Sequence, residues 1–236
     1  MENWLAREEL LIGADAVKKL NNSTVAVIGV GGVGGAVAEA LCRAGVGRVI
    51  IADHDTVSVT NINRQLIALR STVGKSKVSV CKERLLDINP DCDVIALEMF
   101  YNEETADGVF SLNPDYIVDC IDTVSAKLHL AKSCREKGVP LLMCLGTGNR
   151  LDPTAFKIGD IAETARTGAG CGLSRVMRKE LKDRGITHQT VLYSTEPAKK
   201  CVISDDGRNA PGSISFCPPV AGYILASKVI KDLTEK

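Results

Sequence analysis

Residues 24–34 read Thr-Val-Ala-Val-Ile-Gly-Val-Gly-Gly-Val-Gly, and this stretch decides the fold. Its first half is the pattern of a buried strand, and its second half matches G-x-G-x-x-G at the head of a helix. There, backbone N–H groups and the helix dipole attract phosphate. A side chain at Gly31 or Gly32 would stand between the backbone and a phosphate, and Gly34 lets helix and strand approach closely. The stretch therefore predicts a nucleotide-binding turn.

The same alternation of strand and helix continues outward from this turn to residue 146. The predicted strands are residues 24–29, 48–53, 94–97, 116–122 and 140–145, and the predicted helices are residues 32–44, 74–88 and 125–137. Strands that alternate with helices form a parallel sheet wrapped on both faces. We therefore predict an α/β, Rossmann-like, mostly parallel sheet flanked by helices.

The pattern changes after Gly146, where Gly, Thr and Asp become frequent. We predict a C-terminal extension made of a crossing loop, a basic helix, short strands and a final helix. Its predicted elements are a strand at 156–161, a helix at 173–184, a strand at 191–195, a mobile loop at 197–212 and a helix at 219–231. One domain, residues 1–236, then has a nucleotide-binding part (1–146) and this extension (147–236).

Composition narrows the class of protein. The 236 residues are 45% hydrophobic and 25% charged, which is typical of a folded protein rather than a disordered chain or coiled coil. Lys plus Arg and Asp plus Glu both number 29, so nucleic acid would have to contact a local patch. There is no apolar run of membrane length and no secretory signal pattern, so the expectation is a cytoplasmic protein with no membrane partner.

The nine cysteines are odd in number and include no C-x-x-C pair. We expect reduced thiols and no structural zinc site. His54, His129 and His188 show no paired spacing, so surface or core histidines are favoured over metal ligands. Cys171 stands before the basic helix and is the candidate for a catalytic thiol, but a loop cysteine without a catalytic role is the favoured interpretation.

The residues that follow the second predicted strand point to triphosphate chemistry. Asp53 stands about twenty residues after the glycines, where an acid binds ribose hydroxyls, and it leaves a dinucleotide or ATP open. Arg64 and Lys77 follow, and such groups suit charge build-up at phosphorus. Asp119 and Asp122 end another strand at the same edge, where a carboxylate binds magnesium. Adenylylation is favoured over hydride transfer, for which we find no acid-base histidine.

Five motifs carry a family resemblance. They are Gly-Val-Gly-Gly-Val-Gly (29–34), Asp-His-Asp (53–55), Thr-Asn-Ile-Asn-Arg-Gln (60–65), Val-Gly-Lys-Ser-Lys (73–77) and Asp-Cys-Ile-Asp (119–122). Together they resemble the superfamily of ThiF, MoeB and HesA, bacterial relatives of ubiquitin-activating enzymes, over about residues 7–150. Leu-Asp-Pro-Thr-Ala-Phe (151–156) and Tyr-Ser-Thr-Glu (193–196) extend the resemblance towards the tRNA threonylcarbamoyladenosine dehydratases.

The resemblance implies a role for each matching residue. Asp53 would bind ribose, Asn61 and Arg64 the triphosphate, and Gln65 would support Arg64. Lys77 would contact the phosphates during transfer, and Asp122 would bind Mg²⁺. The implied nucleotide-binding set is Gly29, Gly31, Gly32, Gly34, Asp53, Asp55, Asn61, Arg64, Gln65 and Lys77. Arg7 resembles an arginine that the superfamily donates across a homodimer interface, and the implied catalytic set is Arg7, Arg64, Lys77 and Asp122.

The implied reaction is ATP-dependent dehydration of threonylcarbamoyladenosine in tRNA. The threonyl carboxylate would be adenylylated, and ring closure would then release AMP, pyrophosphate having left first. The implied cofactors are ATP and Mg²⁺, and the implied partners are tRNA carrying the modified anticodon-loop adenosine, a second copy of the chain, and a cysteine desulfurase or sulfur-acceptor system. The alternatives are adenylylation of the C-terminal glycine of a ubiquitin-like sulfur carrier and an NAD-binding oxidoreductase or sensor.

The helix predicted at 173–184 is amphipathic. Leu173, Val176, Met177 and Leu181 lie on its apolar side, and residues 166–184 contain six basic and two acidic residues, a local net charge of about +4. A solvated helix face would show the same pattern. With the resemblance to tRNA-modifying enzymes, RNA contact is favoured, through Arg175, Arg178, Lys179 and Lys182.

Overall fold

The computed structural model describes residues 3–166, 171–205 and 208–235, and for 202–205 and 208–210 it describes the backbone only. The helices are α1 (Ala6–Ile12), α2 (Ala14–Asn21), α3 (Gly34–Arg43), α4 (Lys77–Ile88), α5 (Asp107–Phe110), α6 (Val124–Lys137), α7 (Gly172–Asp183) and α8 (Cys217–Thr234). The strands are β1 (Thr24–Ile28), β2 (Arg48–Asp53), β3 (Asp93–Glu98), β4 (Tyr116–Asp119), β5 (Leu141–Cys144), β6 (Phe156–Asp160), β7 (Thr190–Ser194), β8 (Val202–Asp205) and β9 (Arg208–Pro211).

Seven strands form one sheet in the order β3-β2-β1-β4-β5-β7-β6. Every neighbouring pair is parallel except β6 and β7. The chain runs outward from β1 to β3 and then restarts on the other side of β1 with β4. In such a sheet the crevice at the carboxyl ends of β1 and β4 is the usual ligand site. The predicted α/β class is confirmed.

Each face of the sheet is covered by helices. Along β1, Val25 and Val27 join the core under α3, α4 and α8, whereas Ala26 and Ile28 join the core under α5 and α6. Alternate residues of a strand point to opposite faces, so a strand buried on both faces is a continuous apolar run. This explains why β1, β2 and β4 were readable in the sequence.

Helix α8 packs against α3 and the glycine turn that precedes it. A Cβ at Gly222 would lie 2.5 Å from the carbonyl oxygen of Val33 and 2.8 Å from the Cβ of Ala36, so only glycine permits this contact between α8 and α3. Pro218, near the start of α8, is thereby held beside Gly32. The last helix is therefore part of the frame of the glycine turn.

Two predicted element boundaries are wrong for local reasons. The strand predicted at 116–122 ends at Asp119, because the Asp119 carboxylate accepts the backbone N–H of Ile121 at 3.0 Å and turns the chain out of the sheet. The helix predicted from residue 74 begins at Lys77. Gly74 has φ +84°, and Ser76 forms a bridge with Thr56, so the residues before Lys77 are held in a turn.

The prediction of a loop at 197–212 is also wrong for the described residues, because β8 and β9 pair antiparallel there, and residues 206 and 207 lie outside the described part. A signal was present in the sequence, since Asp-Gly, here Asp206-Gly207, is typical of a tight connection between two strands. Helices α1, α2 and α5 were not predicted. Among the helices described, none is both long and apolar enough to cross a membrane.

Candidate nucleotide site

A cleft of about 580 Å³ opens at the carboxyl ends of β1, β2 and β4. The nucleotide-binding part supplies its floor, and the extension supplies one wall through Gly148, Pro211, Ser213 and Pro218. Of the residues predicted to bind nucleotide or metal, the cleft is lined by Gly29, Gly31, Gly32, Asp53, Asp55, Asn61, Arg64, Gln65, Lys77 and Asp122. The structure therefore gathers residues spread over about ninety positions of sequence at one edge of the sheet.

The glycines of the turn are required for different reasons. A Cβ at Gly34 would lie 1.7 Å from the carbonyl oxygen of Gly29, so this position must be glycine for α3 to pack on β1. A Cβ at Gly32 would lie 2.9 Å from Pro218, which makes this glycine a packing requirement as well. At Gly31 a Cβ would meet only the Gln65 amide, at 3.7 Å. The protein itself leaves room at Gly31, which fits a backbone that a ligand must approach.

Asp53 is fixed at the mouth of the turn by two backbone donors. Val30 donates its N–H to one carboxylate oxygen at 2.8 Å, and Asp55 donates its N–H to the other at 2.9 Å. Each oxygen keeps a lone pair for another donor. The carboxylate is therefore held ready for hydroxyl groups, the ligand expected for it.

Lys77 reaches the cleft from the first residue of α4 and pairs with Asp55. Its Nζ lies 2.6 Å from the Asp55 carboxylate, and the Lys77 side chain is only 7% exposed. Burial opposes ionisation of Asp55, but the Lys77 ammonium outweighs it and holds the pKa of that carboxyl below its usual value. In this arrangement the Asp55 carboxylate positions the Lys77 ammonium group. Asp55, which was predicted to belong to the nucleotide-binding set, therefore lies in the site as the partner of Lys77.

His54 lies beside this ion pair. Asp53, His54 and Asp55 present ligand atoms within 4.8 Å of one another. Oxygens of both carboxylates already accept the hydrogen bonds described above, and His54 is 3.3 Å from Asp55. The arrangement is that of side chains that already interact with protein groups rather than that of ligands free to bind a metal ion.

Asn61 is the last residue of a short helical turn (Val59–Asn61), and Arg64 and Gln65 follow in the loop after it. The Asn61 side-chain oxygen accepts the N–H of Ser58 at 3.0 Å and caps the turn. Arg64 is half-buried, which lowers the pKa of its guanidinium. Gln65 is 8% exposed, and its side-chain oxygen has no hydrogen-bond partner among the described residues. An unpartnered buried acceptor at the rim of a cleft fits a site built for a ligand or its water.

Two aspartates lie at the end of β4, Asp119 as its last residue and Asp122 three residues later, and only Asp122 lines the cleft. Asp122 is exposed and lines the cleft, and its carboxylate accepts a long 3.4 Å hydrogen bond from the Thr123 hydroxyl. Asp119 is fully buried and forms an ion pair with the equally buried Lys127 at 2.9 Å. Sequence reasoning missed Lys127, although a lysine within the apolar stretch Ala126–Leu130 of a predicted helix was a signal.

An aromatic and sulfur-bearing wall was also missed. Met99, Phe100 and Tyr101 follow β3 and line the cleft. The His54 ring meets the Phe100 ring edge-on, with 5.0 Å between centroids, and Phe100 is 41% exposed. Their position directly after a strand of the same sheet edge could have identified them. The flat face of a nucleotide's adenine ring would fit against such a wall.

Arg7 and Cys171 do not line the cleft, although Cys171 lies against Gly146, which does. Arg7 is exposed on α1 and does not line the cleft of its own chain. Cys171 caps the start of α7, where its Sγ accepts the N–H of Ser174 at 3.4 Å, and it packs beside Gly146. The Cys171 thiol therefore has a structural role in ending the crossing segment.

Helix α7 presents three of its four predicted RNA-contacting residues to solvent. Arg175, Lys179 and Lys182 are exposed, whereas Arg178 is partly buried and donates to the Thr164 hydroxyl at 2.7 Å. The assignment of Val176 to the apolar side is wrong, because its side chain is 43% exposed. The buried face is carried by Met177 and Leu181.

The chain is similar to proteins of known family over nearly its whole length. A model of the ThiF family matches residues 5–236. A tRNA threonylcarbamoyladenosine dehydratase of Bacillus subtilis is 43% identical over 246 residues, covering 99% of this chain and 95% of the relative. The crystal structure of the E. coli tRNA N6-threonylcarbamoyladenosine dehydratase, TcdA, in complex with AMP is 31% identical and has a TM-score of 0.89, covering all of this chain and 96% of that one. TcdA in complex with ATP matches with 30% identity, the same TM-score and the same coverage.

Proposed function

The chain belongs to the ThiF family, and from that membership we propose that it is an ATP-dependent tRNA threonylcarbamoyladenosine dehydratase. The observation that carries the proposal is the cleft, in which a glycine turn, a half-buried Arg64 and a buried Lys77 converge beside Asp53. The similarity to the Bacillus subtilis dehydratase runs along nearly the whole of both chains, the extension included.

The first chemical step is activation of a carboxylate. A carboxylate resists nucleophiles because it is anionic and would have to expel oxide. Its oxygen attacks the α-phosphorus of ATP in line, an O–P bond forms, and the bond from that phosphorus to the bridging oxygen breaks to release pyrophosphate. The protein's task is alignment of the two reactants and stabilisation of the charge on the phosphoryl oxygens.

The residues of the cleft divide this task. Gly31 lets the backbone approach the phosphates, and Asp53 takes the ribose hydroxyls. Arg64 binds the β- and γ-phosphate oxygens with its planar fork, and Lys77 adds a compact positive charge. Asn61 holds the turn that carries Arg64.

Asp122 is the residue that would hold Mg²⁺. The fit is good, because an exposed carboxylate with one long hydrogen bond offers the hard oxygen donors that Mg²⁺ prefers, and neighbouring Thr123 also lines the cleft. When bound, Mg²⁺ would supply charge neutralisation at the phosphates.

The second step closes a ring within the substrate. The carbamoyl group of the modified adenosine attacks the acyl carbon of the adenylate, AMP leaves, and the attacking group loses a proton. One water is lost from the nucleoside overall. Because this attack is internal, no enzyme thiol is required, which agrees with the structural role of Cys171 as a helix cap.

A second copy of the chain would complete the site. Helix α1 buries none of its residues within the chain, and Leu10 and Leu11 are 89% and 85% exposed. Such a helix fits an interface between copies. Arg7 lies on the same helix and would reach a partner's triphosphate from there.

Helix α7 is the proposed contact for tRNA. Arg175, Lys179 and Lys182 are exposed along one side of it, and phosphates would be their ligands. The enzyme would act where its tRNA substrate is found, in the cytoplasm. A sulfur-acceptor partner remains a prediction.

The test is direct. The protein is incubated with ATP, Mg²⁺ and tRNA that carries threonylcarbamoyladenosine. The tRNA is then digested to nucleosides, and their masses are measured by mass spectrometry. A mass decrease of one water is expected. An unchanged mass, with ATP consumed only when a ubiquitin-like sulfur carrier is added, would replace the proposal with carrier adenylylation.

A further inference from the structure

Arg64 is linked by hydrogen bonds to the opposite wall of the cleft. One of its terminal nitrogens, Nη1, donates to the carbonyl oxygen of Thr60 at 2.7 Å and to the side-chain oxygen of Asn63 at 3.0 Å. The Asn63 amide nitrogen in turn donates to the carbonyl oxygen of Ser213 at 3.1 Å. Asn63 therefore uses both ends of its amide, one towards the arginine and one towards the extension.

The two acceptors on Nη1 define the direction of the guanidinium group. A guanidinium is planar and carries five N–H donors in a fixed arrangement, so holding one terminal nitrogen at two points restricts rotation of the whole fork. The other N–H groups of Arg64 have no acceptor among the described residues, and Arg64 lines the cleft. The fork is thus oriented with its remaining donors available to an anion.

The far end of this link is itself anchored. Asn149, in the left-handed conformation with φ 60°, exchanges two hydrogen bonds with Gly212: its N–H donates to the Gly212 carbonyl oxygen at 2.8 Å, and its side-chain oxygen accepts the Gly212 N–H at 2.7 Å. Ser213 follows directly and lines the cleft. The carbonyl that Asn63 contacts therefore belongs to a fixed segment.

We propose that Asn63 is a positioning residue that orients the Arg64 guanidinium group towards the triphosphate. It does so by linking that group to the carbonyl oxygen of Ser213 on the opposite wall of the cleft. The inference rests on the proposed function, in which Arg64 binds the β- and γ-phosphates. It also replaces the expectation that Gln65 supports Arg64. The side-chain oxygen of Gln65 is unpartnered among the described residues, whereas Asn63 contacts the guanidinium directly.

Orientation of Arg64 should matter for ATP and not for AMP. AMP lacks the β- and γ-phosphates, so its affinity depends on the glycine turn and Asp53, which Asn63 does not contact. Because Asn63 acts on ATP only through Arg64, its loss should weaken binding of ATP by about three- to tenfold, the effect of one ordinary hydrogen bond. The ratio of the two dissociation constants therefore separates orientation of Arg64 from general loosening of the cleft.

The experiment measures the Kd of ATP and of AMP by calorimetry for wild type, Asn63→Ala, Arg64→Ala and the double variant. Asn63 is exposed, so the fold should survive, and the melting temperature checks this. The matched control is Asn22→Ala, which removes another exposed asparagine that donates to a backbone carbonyl, at 2.9 Å, but lies far from the cleft.

We expect Asn63→Ala to raise the Kd of ATP, to leave that of AMP within about twofold, and to add nothing in the Arg64→Ala background, since it acts through that arginine. Equal losses for ATP and AMP, an unchanged Kd for ATP, or additive effects in the double variant would each overturn the inference while leaving the proposed function intact. A wild-type protein that binds neither nucleotide would overturn both.

Discussion

The nucleotide-binding part and the C-terminal extension build their sides of the cleft differently. In the first part, Asp53 is the last residue of β2, and Gly31 and Asp122 lie three residues after β1 and β4, so the sheet brings all three to one edge. In the extension, Ser213 reaches the cleft because Asn63 donates to its carbonyl oxygen and the neighbouring Gly212 donates its N–H to the Asn149 side chain. The difference shows that the phosphate-binding side is positioned by the strands that its residues adjoin. The wall that contains Ser213 is positioned instead by contacts between residues far apart in the sequence.

The strongest test of this division removes a charged group from the nucleotide side. Arg64→Ala and Asp122→Ala should each lower turnover by about 100-fold or more, because each removes stabilisation of phosphoryl charge. Both residues lie on polar loops, so the melting temperature should change little. Pyrophosphate exchange into ATP in the presence of the tRNA substrate measures the step. Wild-type exchange in either variant would contradict the assignment of that residue.

Two glycine substitutions sharpen the comparison within the turn itself. Gly34→Ala should destabilise the fold by about 3 kcal/mol or more, because its Cβ would lie 1.7 Å from the Gly29 oxygen. Gly31→Ala should leave the melting temperature near that of wild type and weaken binding of ATP, because its Cβ meets only the Gln65 side chain, at 3.7 Å. Thermal unfolding and calorimetry separate the two. A Gly31→Ala protein with full affinity for ATP would show that no ligand approaches there.

On the extension side, the basic face of α7 should matter for tRNA alone. The triple variant Arg175→Ala, Lys179→Ala, Lys182→Ala should lower tRNA affinity by about tenfold and reduce the slope of log affinity against log salt by about 2. Its affinity for ATP should stay at the wild-type value. Filter binding over a salt series measures the slope, with Lys18→Ala, Lys82→Ala, Lys132→Ala as the control that removes three exposed lysines elsewhere. Equal losses in both triple variants would mean that charge alone, rather than α7, attracts RNA.

The smallest effect concerns the ion pair at the rim of the nucleotide side. Because the folded-state pKa of Asp55 is lowered, its ionised form stabilises the fold above the unfolded-state pKa of about 3.9, and this contribution is lost as the pH falls through the folded-state value. Asp55→Asn should therefore lower the free energy of unfolding slightly at pH 7 and by less at about pH 2, because the contribution of the ion pair falls as Asp55 takes up its proton.

Denaturant unfolding at both pH values measures this difference, with Asp91→Asn as the control, since Asp91 is an exposed carboxylate. A loss of stability that is the same at both pH values would indicate a packing effect of the substitution rather than the Lys77 pair.

Much of the fold and the phosphate-binding side could be predicted from sequence because their signals are local. Buried strands, the glycine turn and the acid after β2 all follow from residues near one another in the chain. The link between Asn63 and Ser213 spans 150 positions, and nothing near either residue announces it. Helix α1 was missed because it buries no residue within its own chain, so it lacks a core-facing stripe.

The buried pair of Asp119 and Lys127 limits how the chain can change over time. Both side chains are fully buried. Substituting either one alone would leave an unpaired charge in the core and lower the free energy of unfolding by about 3–5 kcal/mol. Replacing both with well-packed apolar groups would be far milder. Along any lineage these two positions are therefore expected to be retained or exchanged jointly, and an alignment that showed them drifting independently would argue that the core beside Asp122 tolerates water.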